Sequence, residues 1–211
     1  MNSATLQLTH WLSPAFPTGA FAYSHGLEQV IALGAVSDAA SLEHWLWDVL
    51  HHGAGWQDAV LLRLTLDPDA DLDALDAMAQ ALQPSAERWQ ESTEQGAAFA
   101  RTVSQVTGRT LPPRALPIAV AEAARPLSPD PAQLIALFLQ GFASNLVTIA
   151  IRHVPLGQGE GHAVLARLLP PIAALAQRAA QAGMQDLGTA CFGADMAAME
   201  HETKEVRLFR T

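Results

Sequence analysis

Apolar residues recur with a helical period along almost the whole chain. Leu42, Trp45, Leu46, Val49 and Leu50 stand at i, i+3, i+4, i+7 and i+8, the spacing of one helix face. Tyr23, Leu27, Val30 and Ile31 form a shorter stripe that Gly34 ends. Leu134, Leu137, Phe138, Gly141, Phe142 and Asn145 form another. No run shows the strict apolar/polar alternation of a half-buried strand. Turn-forming residues cluster at 14–19, 34–38, 53–55, 67–71, 108–113, 126–131 and 155–161, and again at Gly183, Gly188 and Gly193. These are short joints of the kind that link helices. Pro170-Pro171 reads as one more break that starts a new helix, because proline suits a first helical turn. The pattern predicts an all-α protein, a single compact domain over residues 1–211 with about eight to ten helices.

Composition supports this and narrows the function. Half of the 211 residues are hydrophobic but only 6% are aromatic, so Ala and Leu, both strong helix formers, supply the apolar mass. A net charge of -9 argues against a nucleic-acid partner, which would need clustered Lys and Arg. The single cysteine, Cys191, permits no intrachain disulfide and fits a reducing cytoplasm. The first residues lack the basic and apolar regions of a signal peptide. Residues 131–151 carry no formal charge and are long enough to span a bilayer. Gln133, Gln140, Ser144, Asn145 and Thr148 interrupt them, so a central buried helix is expected there and no membrane span.

Three stretches look like chemistry. Ala22-Tyr23-Ser24-His25-Gly26 approaches the Gly-x-Ser-x-Gly elbow of serine hydrolases. An elbow needs a buried strand before the serine, and Pro14 to Gly19 cannot form one. A plainer role for Ser24 is to satisfy free N–H groups at the start of the second helix. His201-Glu202-Thr203-Lys204-Glu205 is half of a His-Glu-x-x-His zinc motif, with Glu205 in place of the second histidine. His201 and Glu205 on one helix face would hold a metal weakly, with no third ligand nearby. "GQGEGH", residues 157–162, is Gly-rich but lacks the Lys-Ser/Thr ending of a phosphate loop. No catalytic residue, resident metal or cofactor is expected. The last five residues, "RLFRT", set Leu208 and Phe209 between Arg207 and Arg210, an anchor-like composition that points to partner docking.

Taken together, the two ends of the chain resemble the UreF family of urease accessory proteins. At the N-terminal end the resemblance rests on Ser13, Pro14, Pro17, Gly19, Tyr23, Ser24, Gly26, Leu27 and Glu28. At the C-terminal end it rests on His201, Glu202, Arg207, Leu208, Phe209 and Arg210. A third stretch, residues 145–168, includes Gly157, Gln158 and Gly161, and "EQGAAFA" at 94–100 is also similar to the family. Gly159 stands where the family commonly has Thr, and His162 where it commonly has Gln, which would give a contact there a pH dependence. The resemblance implies an all-α homodimer without enzymatic activity. It also implies binding to UreD (also called UreH), recruitment of the GTPase UreG, and help in installing nickel in the urease apoprotein. It assigns partner contacts to the tail at about 201–211 through Arg207, Leu208, Phe209 and Arg210, with His201 and Glu202. Tyr23, Ser24 and Glu28 are the expected polar contacts of the N-terminal loop, whose Gly19 and Gly26 permit a special backbone or close approach.

Overall fold

The computed structural model describes residues 3–211. Among these residues ten α-helices run in the order α1 (Ser3–Trp11), α2 (Leu27–Ala32), α3 (Ala39–His52), α4 (Ala54–Thr65), α5 (Leu72–Ala81), α6 (Ala86–Thr107), α7 (Leu116–Ala124), α8 (Pro131–His153), α9 (Gln158–Ala179) and α10 (Phe192–His201). Single 3-10 turns lie at Ala20–Ala22, Arg125–Leu127 and Met184–Asp186, and no strand occurs among the described residues. The all-α reading therefore holds, in one body.

The apolar stripes become the core. Leu42, Leu46, Val49 and Leu50 of α3 are fully buried, and burial of each is worth about 1.5–3 kcal/mol. Helices α8 and α9 pack along each other, α3 and α4 pack on both of them, and α7 lies against α4 and α6. Helix α8 buries Leu134, Ile135, Phe138, Leu139, Leu146 and Val147. It is the one helix among the described residues long and apolar enough to cross a bilayer, and half of its most apolar window is buried inside the protein.

Caps follow the sequence. Asp38 accepts from Ser41 N–H at 2.8 Å and Asp71 from the N–H groups of Asp73 and Ala74, closing the first turns of α3 and α5. Gly53 alone separates α3 from α4. Two local expectations need correction. The second helix begins at Leu27, so Tyr23 precedes it in extended backbone. Pro170 and Pro171 lie inside α9 and start nothing. The carbonyls they leave unpaired, on Ala166 and Arg167, belong to exposed residues that water can satisfy.

Helix α6 is unusual. Its C-terminal half buries Phe99, Ala100 and Val103, while its N-terminal half buries Arg88, Glu91, Ser92 and Gln95 on the same side. A Cβ at Gly96 would stand 1.9 Å from the Arg114 carbonyl, so only glycine lets the α6–α7 connection cross there. Helix α10 packs against α6, and α2 packs against α10.

Candidate functional site

The N-terminal loop after α1 is held by its aromatic ring and shaped by its glycines. Phe16 is buried, its ring 5.4 Å from that of Phe99. Pro14 and Pro17 lie exposed on either side of it. Gly19 takes φ 78°, the left-handed conformation that leads into the 3-10 turn. His25 and Gly26 are left-handed in succession, at φ 59° and 76°. At Gly26 a Cβ would also lie 3.2 Å from the backbone nitrogen of Ala198, so this glycine sets both the turn and the approach of α10.

The C-terminal tail runs back along this loop. Arg210 N–H donates to the Ala22 carbonyl at 2.9 Å, and Ser24 N–H to the Thr211 carbonyl at 3.0 Å. The Ser24 hydroxyl donates to the same Thr211 carbonyl and accepts from Glu28 N–H at 3.2 Å. Ser24 thus serves free N–H and C=O groups, as the plainer reading expects. The Thr211 hydroxyl accepts from His25 N–H and donates to Glu91 at 2.8 Å.

Glu28 is the hub. Its carboxylate accepts from the N–H groups of Leu208 and Phe209, at 3.1 and 2.9 Å, and lies 3.2 Å from both His201 Nε2 and Lys204 Nζ. Burial raises its pKa, but these donors more than offset that and hold it below the ordinary value. His201 is fully buried, and its Nδ1 meets Glu87 at 2.8 Å. Arg207 reaches Glu87 as well. Helix α10 ends at His201, so Glu205 lies outside it and the two share no helix face for a metal. Among the described residues no group of three or more His, Cys, Asp or Glu is placed to hold one.

Tyr23 closes the outer side. Its hydroxyl donates to Glu94, and Arg210 contacts both Glu94 (2.5 Å) and the Tyr23 oxygen (3.1 Å). Burial first, then Glu94, raises the Tyr23 pKa. Deeper in, Arg88 pairs with Glu91, and His25 Nδ1 lies 3.7 Å from the same carboxylate. Burial and the nearby Arg88 push His25 down to about 4, so it is neutral. Glu91 is lowered to about 2: burial opposes ionisation, and Arg88 and the other donors overcome it.

The structure thus brings Tyr23, Ser24, Glu28, His201, Glu202, Arg207, Leu208, Phe209 and Arg210 into one region, with Glu202 accepting from Glu87 N–H. Most of their polar atoms are spent on each other. Phe209 is half-buried, edge-on to His153 at 5.0 Å. What faces outward is Phe21 (70% exposed), Val206 (74%) and Leu208 (68%), beside the exposed Arg210. Phe192, Met196 and Met199 of α10 are exposed as well. Gly157, Gln158 and Gly161 open α9, just beyond His153. Gly157 N–H donates to Glu160, and a Cβ at Gly161 would strike Ile151 at 2.4 Å. His162 is exposed in that turn.

Sequence reasoning missed Glu87, Glu91 and Thr211, and noted Glu94 without giving it a role. The signal was present in α6: residues 87, 91 and 94 recur at helical spacing and put three carboxylates on one face.

The UreF family profile matches residues 36–169, between the two terminal segments. A protein of Cereibacter sphaeroides (strain ATCC 17029) named urease accessory protein UreF is 56% identical over 211 residues, covering all of both chains. Proteins of the same name from Paracoccus denitrificans and Dinoroseobacter shibae are 49% and 44% identical, covering all of this chain and 97% and 100% of their own.

Proposed function

The chain belongs to the UreF family of urease accessory proteins, and we propose that within urease maturation it is a non-catalytic scaffold for nickel insertion. In this reading it works in the cytoplasm as a homodimer, binds UreD (UreH), recruits UreG and presents the assembly to the urease apoprotein. Nickel is the cargo of that assembly.

The observation that carries the reading is the docked tail. Two segments far apart in sequence are joined by a buried, hydrogen-bonded network that leaves Phe21, Leu208, Val206 and Arg210 outward on one surface. A rigid apolar patch with an arginine at its edge is how a protein presents a partner surface without ordering a segment on binding. The hydrolase alternative is disfavoured by the same geometry. The Ser24 hydroxyl hydrogen goes to Thr211 O, and among the described residues no side-chain base hydrogen-bonds the Ser24 oxygen.

The test is a pull-down of co-expressed UreD and UreG with the intact chain and with Leu208→Glu. That substitution alters the surface without touching the network. Capture of both partners by the intact chain, and at least tenfold less by the variant, is the expected result. Equal capture by both would move the contact off the tail. No capture by the folded intact chain would remove the scaffold reading.

A further inference from the structure

Beneath the N-terminal loop lies a cavity of about 550 Å³, within the range of small-molecule sites. Trp11, Phe16, Phe99, Phe138 and Phe142 give it aromatic walls, and the loop from Leu12 to Phe21 roofs it. Its charged groups are Asp58 of α4, Arg88 and Glu91 of α6, and Arg152 of α8, the last on an exposed turn. Arg88 and Glu91 neutralise each other. Asp58 has no such partner. Among the described residues no donor reaches its carboxylate, and its oxygens are absent from the sealed, unpaired polar atoms, which are His25 Nδ1, Trp45 Nε1 and Gln57 Oε1. Both oxygens are therefore accessible, and the residue lines the cavity.

A carboxylate kept without a donor, among aromatic rings, is a costly arrangement unless something that enters the cavity supplies the donor. We propose that this cavity binds a small organic cation: an apolar, preferably aromatic, body whose amidinium or ammonium head pairs with Asp58. The aromatic walls hold the body, and their faces favour a cation at close range. Glu91 cancels the charge of Arg88, which would otherwise repel the head. This site adjoins the tail region through Phe21 and Glu91 but does not depend on the scaffold reading.

Benzamidine and its neutral isostere benzamide are the probes, titrated against the full chain by calorimetry. At pH 8 benzamidine is expected to bind at least tenfold more tightly than benzamide. Asp58→Asn should abolish that preference, while Asp69→Asn, on the surface, should retain it. Burial holds the Asp58 pKa up at about 7, so the preference should also vanish in the unaltered protein between pH 8 and pH 5.5. This second arm needs no folded variant. Absence of benzamidine binding, equal affinity for the two probes, or a preference that survives both Asp58→Asn and pH 5.5 would overturn the proposal.

Discussion

Glu28 and Asp58 are both carboxylates held inside the fold, and their environments drive them in opposite directions. Burial raises both. At Glu28 two backbone N–H groups, His201 and Lys204 reverse that effect and bring the pKa below 4.5. At Asp58 only the field of Arg88 opposes it, and the pKa rises from 3.8 to about 7. The difference is the number of donors, because hydrogen bonds to the charged form offset desolvation where burial alone cannot. One carboxylate ties two ends of the chain together, and the other stands open to a cavity.

The largest effect should come from breaking the first of these. Glu28→Ala leaves the N–H groups of Leu208 and Phe209 unpaired, removes a hydrogen-bond partner of the buried His201 and strips Lys204 of its counter-charge. A loss of about 4 kcal/mol is expected, read as a lower urea midpoint with an unchanged slope. Limited proteolysis should then cut within the tail, near Lys204 or Arg207, where the intact chain resists. A loss below about 1 kcal/mol would mean that the tail is held by something other than this hub.

Acid should separate the two regions. Glu28 and Glu91 have folded pKa values below their unfolded 4.5, so their stabilisation is present above pH 4.5 and fades as pH falls through the folded values. His25, lowered from 6.5 to about 4, adds a loss between those two pH values, because only the unfolded chain gains its proton there. Asp58 behaves in the opposite sense. Its folded pKa is raised, so its contribution is favourable at low pH and is lost as pH rises from about 4 through about 7. The full displacement corresponds to about 4 kcal/mol, and water in the cavity screens part of it. Asp58→Asn is therefore expected to stabilise the protein by about 2 kcal/mol at pH 8 and by less at pH 5. Thermal unfolding at the two pH values checks this, and destabilisation at pH 8 would contradict it.

The apolar half of this comparison was legible in the sequence and the polar half only partly. The stripe at Leu42, Leu46, Val49 and Leu50 names the buried face of α3 directly, because apolar burial follows a local period. The breaks at Gly53 and at 67–71 also mark real joints. The proline pair at 170–171 misled, since a solvent-facing site tolerates the lost bonds that a buried site would not. The terminal motifs named Glu28, His201 and Arg210, but their pairing spans more than 170 residues, a separation that no local pattern encodes. Asp58 left no signal at all. It is one acid on an ordinary helix, and only the cavity makes it unusual.

The smallest effect tests the outer edge of the tail site. Tyr23→Phe keeps the ring under the Arg210 guanidinium, which stands 5.9 Å from its centroid, and removes only the oxygen between Arg210 and Glu94. One hydrogen-bonding hydroxyl at a part-buried site is worth about 1 kcal/mol. Arg210 still reaches Glu94 directly, and the Ala22 carbonyl still holds the Arg210 backbone. The variant should therefore unfold about 1 kcal/mol earlier while its tail stays resistant to proteolysis, unlike that of Glu28→Ala. If Tyr23→Phe frees the tail as Glu28→Ala does, the outer contact rather than the buried carboxylate holds the two ends together, and the contrast between Glu28 and Asp58 loses its structural consequence.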